Sequence, residues 1–474
     1  MSDSGSGSNE YDVIVIGAGP VGENVADRTS AAGLRTVVVE RELVGGECSY
    51  WACIPSKALL RSSAALDAAK AVGGAREAVG DGRLDAAAVL ERRTSFTSDW
   101  KDDGQVSWLE SAGIELIRGD ARLSGPRTVV VNGEEYRARH AVAVCPGSDP
   151  RLPSLPGLDE ARPWTSREAT SARTVPGRLA IVGGGVVGAE MAAAWSALGS
   201  EVTLLLRGER PLPRMEPFAG DLVAEGLAAR GVDVRTGTSV TELRRPDPDG
   251  PVTLVLDGDK GELVADEVLF TTGRSPRTGD IGLETVGLEP GSWLIVDDTL
   301  LVDGVEGGWL YAVGDVNHRA LLTHQGKYQA RIAGEAIAAR AQGRPVTVAA
   351  TADATAVPQV VFTEPEVASV GLTAEAAQKT GRRVRAVDYD LGSVSGAALH
   401  ADGYKGRARM VVDEERRTLV GVTFTGPGVG ELLHAATIAV AAEVPVERLW
   451  HAVPAFPTMS EIWLRLLETY RDGS

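Results

Sequence analysis

Cysteine is scarce: the 474 residues hold three. So few sulfurs exclude a secreted disulfide scaffold and fit a reducing compartment, so a cytoplasmic protein is expected. Positive charge is also in deficit. Lys and Arg number 48 against 65 Asp and Glu, a formal net charge of −17. That balance argues against nucleic acid or an anionic membrane as partner. Long apolar runs are missing, with one apparent exception at residues 179–198. Four glycines (Gly183, Gly184, Gly185 and Gly188) divide it into strand, turn and helix. It therefore reads as buried α/β core and not as a membrane span. Residues 1–10, MSDSGSGSNE, lack the apolar stretch of a signal peptide and read as a disordered tail. What remains suits a soluble enzyme. Hydrophobic residues make up 43% of the chain, and its length fits about three domains at ~150 residues each.

Two of the three cysteines sit together. Cys48 and Cys53 have four residues between them, in the run Gly45-Gly46-Glu47-Cys48-Ser49-Tyr50-Trp51-Ala52-Cys53-Ile54-Pro55-Ser56-Lys57. A structural staple closing so short a loop adds little stability. Thiol–disulfide exchange, by contrast, needs one sulfur to attack a substrate and a second to resolve it.

The chain also repeats itself. Tyr11-Asp12-Val13-Ile14-Val15-Ile16 leads into Gly17-Ala18-Gly19-Pro20-Val21-Gly22, a helix-like segment to Gly33, and the apolar run Thr36 to Glu40. Leu179 to Val182 leads into Gly183-Gly184-Gly185-Val186-Val187-Gly188, a helix-like segment to Gly199, and the run Val202 to Leu206. Gly17, Gly19, Gly22 and Gly33 map onto Gly183, Gly185, Gly188 and Gly199 with one constant offset. Each copy is strand, G-x-G-x-x-G turn, helix, strand. Such a turn brings backbone N–H groups and a helix N-terminus up to a pyrophosphate. Two copies in this context predict two dinucleotide sites.

The copies differ where the second strand ends. Glu40 stands where a carboxylate accepts hydrogen bonds from a ribose 2′-OH, which suits the adenosine half of FAD. The matching position in the second copy is Leu206, followed by Arg207, Arg210 and Arg214. No carboxylate waits there, and guanidinium groups suit a 2′-phosphate. NADPH is therefore expected ahead of NADH.

The cysteine segment, with its Pro55-Ser56-Lys57, resembles the CxxxxC redox motif of the flavoprotein disulfide reductases. That family includes glutathione reductase, dihydrolipoamide dehydrogenase and mercuric reductase. Further matches extend the resemblance along almost the whole chain. The strand Ala141 to Val144 ending in Cys145-Pro146-Gly147-Ser148 and the run Val268 to Pro276, with Gly273, resemble the two crossovers between the family's dinucleotide domains. Leu310-Tyr311-Ala312-Val313-Gly314-Asp315 resembles the second FAD motif, whose aspartate binds the ribityl and phosphate region. Pro358 to Gly371 resembles the opening of the dimerisation domain.

The resemblance implies an α/β fold of two Rossmann-like dinucleotide-binding domains plus a C-terminal α+β dimerisation domain. The FAD-binding domain is expected over 11–150 and 278–345, the NAD(P)-binding domain over 151–277 and the dimerisation domain over 346–474. Residues 65–115, rich in alanine, are expected to form long helices. The resemblance makes Cys53 the thiol that contacts the flavin and Cys48 the one that exchanges with substrate. It pairs Lys57 with Glu190 beside the flavin, in a homodimer that needs no metal. Cys145 is assigned to packing.

One departure stands out. Disulfide-reducing members carry His-Pro-Thr-x-x-Glu near the C-terminus, where the imidazole moves the proton of the exchanging thiol. This chain reads Phe456-Pro457-Thr458-Met459-Ser460-Glu461. Phenylalanine cannot move a proton, and Glu461 is left without the imidazole it would orient. His451 could stand in only if its loop folds back; His324 and His434 read as structural or flavin-adjacent. Mercuric reductases carry tyrosine there and a vicinal cysteine pair near the C-terminus, but no cysteine follows Cys145 here. A carboxylating reductase of the family shares the phenylalanine but has histidine in place of the glutamate. Tyr50 and Trp51, larger than the residues usual in this loop, suggest an apolar, restricted thiol pocket.

The expected function is an NAD(P)H-dependent FAD oxidoreductase passing electrons through Cys48 and Cys53 to a small-molecule acceptor. A quinone, another electrophile or a specialised thiol substrate is expected. The alternatives are a disulfide reductase or dihydrolipoyl dehydrogenase homologue with a substitute proton donor, and a low-turnover flavin redox sensor.

Overall fold

The computed structural model describes residues 9–473, in two compact units. The first comprises residues 9–55, Thr94–Arg151 and Gly273–Ala354; the second comprises Ser56–Arg93, Leu152–Thr272 and residues 355–473. Most of the expected N-terminal tail lies outside the described residues. Its last two residues belong to the fold: Asn9 Nδ2 donates to Glu135 O at 3.1 Å, and Glu10 opens a strand paired with Arg137. Alternation into the apolar run Val13–Ile16 carries that strand back to Glu10.

A seven-stranded sheet organises the first unit. Its order is Glu115–Arg118, Thr36–Glu40, Glu10–Ile16, Glu134–Val144, Thr128–Val131, Ala121–Gly125, with Leu310–Ala312 also paired to Glu134–Val144. The strands Thr36–Glu40, Glu10–Ile16 and Glu134–Val144 are parallel, with Ile16 level with Val39 and Val144. Their apolar residues are buried on both faces, as parallel strands require. This register brings Gly17, Glu40 and Cys145 to one carboxyl edge, where open α/β sheets bind ligands.

The second unit repeats the plan. Asp233–Arg235, Glu201–Leu205, Arg178–Val182 and Glu267–Phe270 form a four-stranded parallel sheet, with Val182 level with Leu205 and Phe270. The residues 179–198 are thus strand, glycine turn and the helix Val186–Ala197; Leu179 to Ile181 and Gly188 to Trp195 are buried, while Gly185 and Val187 are exposed. The same unit holds a five-stranded antiparallel sheet in the order Pro358–Val361, Glu366–Gly371, Thr418–Gly426, Arg407–Asp413, Val384–Asp390. Its middle strand, Thr418–Gly426, is buried at every residue. Phe424 and Met410 pack there against Leu466 and Tyr470 of the last helix, Ile462–Asp472. Arg409 Nη1 meets Glu216 at 2.8 Å, joining the two sheets' surroundings in one unit.

One expectation is corrected here. Residues 65–115 do not form long helices throughout. The helix Cys53–Lys70 is 18 residues long, but Ala75–Val79, Ala86–Phe96 and Asp103–Ser111 are short. Gly74 and Gly80 both take positive φ and bound the helix Ala75–Val79 at its start and end. By contact, residues 56–93 group with the second unit. Leu59, Leu60, Val89 and Leu90 share a core with Trp195. The fully buried Arg93 donates to the carbonyls of Thr170 and Ala172. No described helix is long and apolar enough to cross a membrane.

Candidate active site

The two fingerprints have the same construction. Gly17 has φ +96°, and a Cβ there would lie 2.5 Å from Cys145 O; a Cβ on Gly22 would lie 1.8 Å from Gly17 O. Gly183 and Gly188 repeat this, at 2.7 Å from Thr271 O and 2.0 Å from Gly183 O. The outer glycines are therefore needed for packing. Nothing lies within 4 Å of a Cβ built on either middle glycine, Gly19 or Gly185. Open space at the N-cap of an uncapped helix is the room a pyrophosphate occupies.

The residues around the first turn fit an FAD. Glu40 is buried at the strand's end, its Oε2 accepting from Ala18 N at 2.7 Å and its Oε1 from Glu42 N at 2.8 Å. Both oxygens keep a lone pair for a ribose hydroxyl. Asp315 Oδ2 accepts from Ser148 Oγ at 2.5 Å and lies 3.8 Å from Arg274 Nε. Gly314 N–H is fixed by Gln329 Oε1 at 2.9 Å. Gly147 has φ +76° and no atom within 4 Å of a built Cβ. When bound, an FAD would supply two-electron transfer; Glu40, Asp315 and the glycine turn would hold it.

Around the second turn Leu206 is buried, while Arg207 and Arg214 are exposed. Arg210, the guanidinium between them, pairs with Asp221 at 2.8 Å. Gly273 belongs to the first unit, where its carbonyl accepts from Arg151 N at 2.9 Å.

Cys48 sits in the five-residue helix Gly46–Tyr50, and Cys53 opens the next helix. The turn before them needs glycine: Gly45 has φ +107°. Both cysteines are thiols, hydrogen-bonded to each other. Cys53 Sγ also lies 3.2 Å from Thr323 Oγ1, at the first residue of the helix Thr323–Ala341. The hydrogen bond to Cys53 and burial push the Cys48 thiol well up, while Thr323 and Lys327 pull it back in part. Cys145 is buried and its thiol pushed up by burial alone. Tyr50 is buried, with its ring 5.6 Å from that of Trp51.

Lys57 Nζ donates to Glu190 Oε2 at 2.7 Å. Glu190 is 3% exposed, and its Oε1 accepts from Phe362 N at 3.0 Å. Lys57 Nζ stands 5.0 Å from the centre of the Phe362 ring. Thr323, Lys327 and Phe362 were not singled out from sequence. Only Phe362 had a signal, its place in the Pro358-to-Gly371 run.

At the C-terminus Phe456 is 74% exposed and Glu461 is 5% exposed. Glu461, left without an imidazole, has a different partner: Arg465 Nη2 donates to its Oε1 at 2.6 Å. Its Oε2 is buried with no hydrogen-bond partner among the described residues. The i, i+4 spacing of Glu461 and Arg465 was the missed signal. His451 lines a cavity with Arg417, Trp450, Tyr470 and Arg471. His324 and His434 are both exposed. Among the described residues no group of three His, Cys, Asp or Glu side chains could hold a metal ion.

Comparisons with known proteins agree with this architecture. Residues 11–343 match the profile "Pyridine nucleotide-disulphide oxidoreductase", and residues 357–466 match the dimerisation domain of that name. A dihydrolipoyl dehydrogenase of Thermus scotoductus is 35% identical over 462 residues, 95% of each chain. A mercuric reductase of Staphylococcus aureus is 29% identical over 95% of this chain and 81% of its own. A solved Cu(II) complex of RclA, an HOCl-induced flavoprotein disulfide reductase from Escherichia coli, superposes with a TM-score of 0.82 at 23% identity, covering 97% of this chain and 99% of that one; it speaks for the fold alone. With paired glycine turns, adjoining thiols and matches that run almost end to end, the chain belongs to the pyridine nucleotide-disulphide oxidoreductase family.

Proposed function

We propose that this protein carries electrons from NADPH through FAD to a Cys48–Cys53 disulfide, and on to an acceptor other than a small disulfide. A quinone, another electrophile or a specialised thiol substrate fits best. The observation that carries this reading is Phe456. The thiol pair and the Lys57–Glu190 ion pair are kept, but the residue that would move a proton for a leaving thiol is apolar. A hydrocarbon ring excludes water and offers no proton. Acceptors that take electrons without needing a sulfur protonated suit such a site. A homodimer follows from the match to the dimerisation domain, and Val453 and Phe456, at 84% and 74% exposed, supply apolar surface there.

The likeness to dihydrolipoyl dehydrogenases over 95% of both chains supports a second reading, a disulfide reductase with another proton donor. Anaerobic NADPH titration followed by an acceptor panel separates the two. Turnover with quinones and slow rates with lipoamide and glutathione disulfide are expected. Lipoamide rates equal to or above the quinone rates would establish the second reading.

The nicotinamide preference is tested at Arg207. Its guanidinium is exposed just past the strand Glu201–Leu205. Losing a charge-assisted contact to the 2′-phosphate should cost about 1.5–3 kcal/mol. Arg207→Glu is therefore expected to cut the NADPH:NADH ratio of kcat/KM by roughly ten- to hundredfold. An unchanged ratio would make Arg207 a solvated surface charge.

A further inference from the structure

The residue before Cys48 is a glutamate met by a charge from far along the chain. Glu47 Oε1 accepts from Arg277 Nη2 at 2.8 Å across 230 positions. Arg277 Nε donates also to Asp149 Oδ1 at 2.5 Å. Glu47 and Arg277 side chains are each 16% exposed. Burial alone would lower the proton affinity of Arg277, but Asp149 and Glu47 more than offset it. Glu47 also stands in the first turn of a helix of only five residues, whose cap, Gly45, makes no side-chain hydrogen bond. A helix that short cannot hold its own place. The Glu47–Arg277 pair ties it to the segment following the strand Arg274–Pro276.

We propose that Glu47 and Arg277 are positioning residues for the thiol pair: their ion pair fixes the turn that carries Cys48 and balances the charge beside its sulfur. The inference rests on reading Cys48 and Cys53 as the redox pair. Cys53, from the helix Cys53–Lys70, and Thr323 and Lys327, from the helix Thr323–Ala341, are the groups that act most on the Cys48 thiol. A buried carboxylate stripped of its cation opposes a thiolate next to it. Without the Glu47 charge, Arg277 keeps only Asp149, and one negative charge fewer nearby favours a thiolate.

The test is the alkylation rate of Cys48 by iodoacetamide against pH, resolved by mass spectrometry on the reduced, FAD-containing protein. That rate follows the thiolate fraction. Arg277→Gln should slow it and Glu47→Gln should speed it, each about three- to tenfold at neutral pH, the effect of half to one pH unit in the thiol. The double variant E47Q/R277Q should return close to wild type. A merely structural tether would move both single variants the same way, because either one breaks it. Shifts of the same sign, or no shift, overturn the proposal. If Arg277→Gln does not fold, Glu47→Gln decides alone, and a rate that fails to rise overturns it. If NADPH never reduces a Cys48–Cys53 disulfide in the wild type, the functional reading falls instead, while the alkylation rates still report on the ion pair.

Discussion

Cys53→Ser is expected to abolish a long-wavelength charge-transfer absorbance that anaerobic NADPH should produce in the wild-type protein. The argument starts from which sulfur keeps the negative charge when a Cys48–Cys53 disulfide takes two electrons. Cys48 is the poorer candidate, since its hydrogen bond to Cys53 and its burial hold its proton on. Cys53 Sγ lies 3.2 Å from the hydroxyl of Thr323, which can donate to a thiolate. Thr323 opens a helix of 19 residues with no side-chain cap, so its positive dipole end favours an anion there. The charge should therefore rest on Cys53, and a thiolate against a flavin gives the new absorbance. Serine forms neither a thiolate nor a disulfide at neutral pH. The variant should also take up two electrons fewer than wild type. Anaerobic titration with the visible spectrum recorded at each addition measures both. A wild-type protein that takes up only the electrons FAD needs, with no new band, would remove the disulfide from the mechanism.

What the sequence made legible was local. Continuous apolar runs ending in glycine turns specify strand, turn and helix within about thirty residues, and both copies do so here. The place of Glu40 at a strand's end follows from the same local pattern. Polar pairing over long separations has no such signature. Glu47 and Arg277 are 230 positions apart, and neither residue's neighbourhood announces the other. Residues 56–93 show the same limit of local patterning. They follow the cysteine motif without a composition break, yet Leu59, Leu60, Val89 and Leu90 share a core with Trp195. Helix patterning says that such residues will be buried, not against which sheet. Glu461 is the opposite case. Its partner Arg465 lies one helical turn on, and the pair could have been read from spacing alone.

That pair bears on the remaining test, Phe456→His. Phe456 is 74% exposed within the single chain, so replacing it should cost the protomer's own fold little, within the ±0.5 kcal/mol or so usual for surface positions. An imidazole at this position needs a carboxylate to fix its tautomer and steady its charge. Glu461 is still there, buried, with Oε1 held by Arg465 and Oε2 without a hydrogen-bond partner among the described residues. An acceptor oxygen is thus available to an imidazole N–H. If proton transfer limits disulfide turnover, Phe456→His should raise the rate on lipoamide or glutathione disulfide by the ~10²–10⁴ typical of general acid–base catalysis. The gain should peak near neutral pH, where imidazole both takes and returns a proton. Arg465 should also temper it, since a carboxylate shared with a guanidinium raises an imidazole's basicity less than a free one. The double variant F456H/R465M should then shift the upper limb of the pH profile to higher pH than F456H alone. Stopped-flow rates on both disulfides across pH 5–9 decide the matter. A wild-type protein as fast as Phe456→His would mean that another group already supplies the proton, and that the phenylalanine does not set the choice of acceptor.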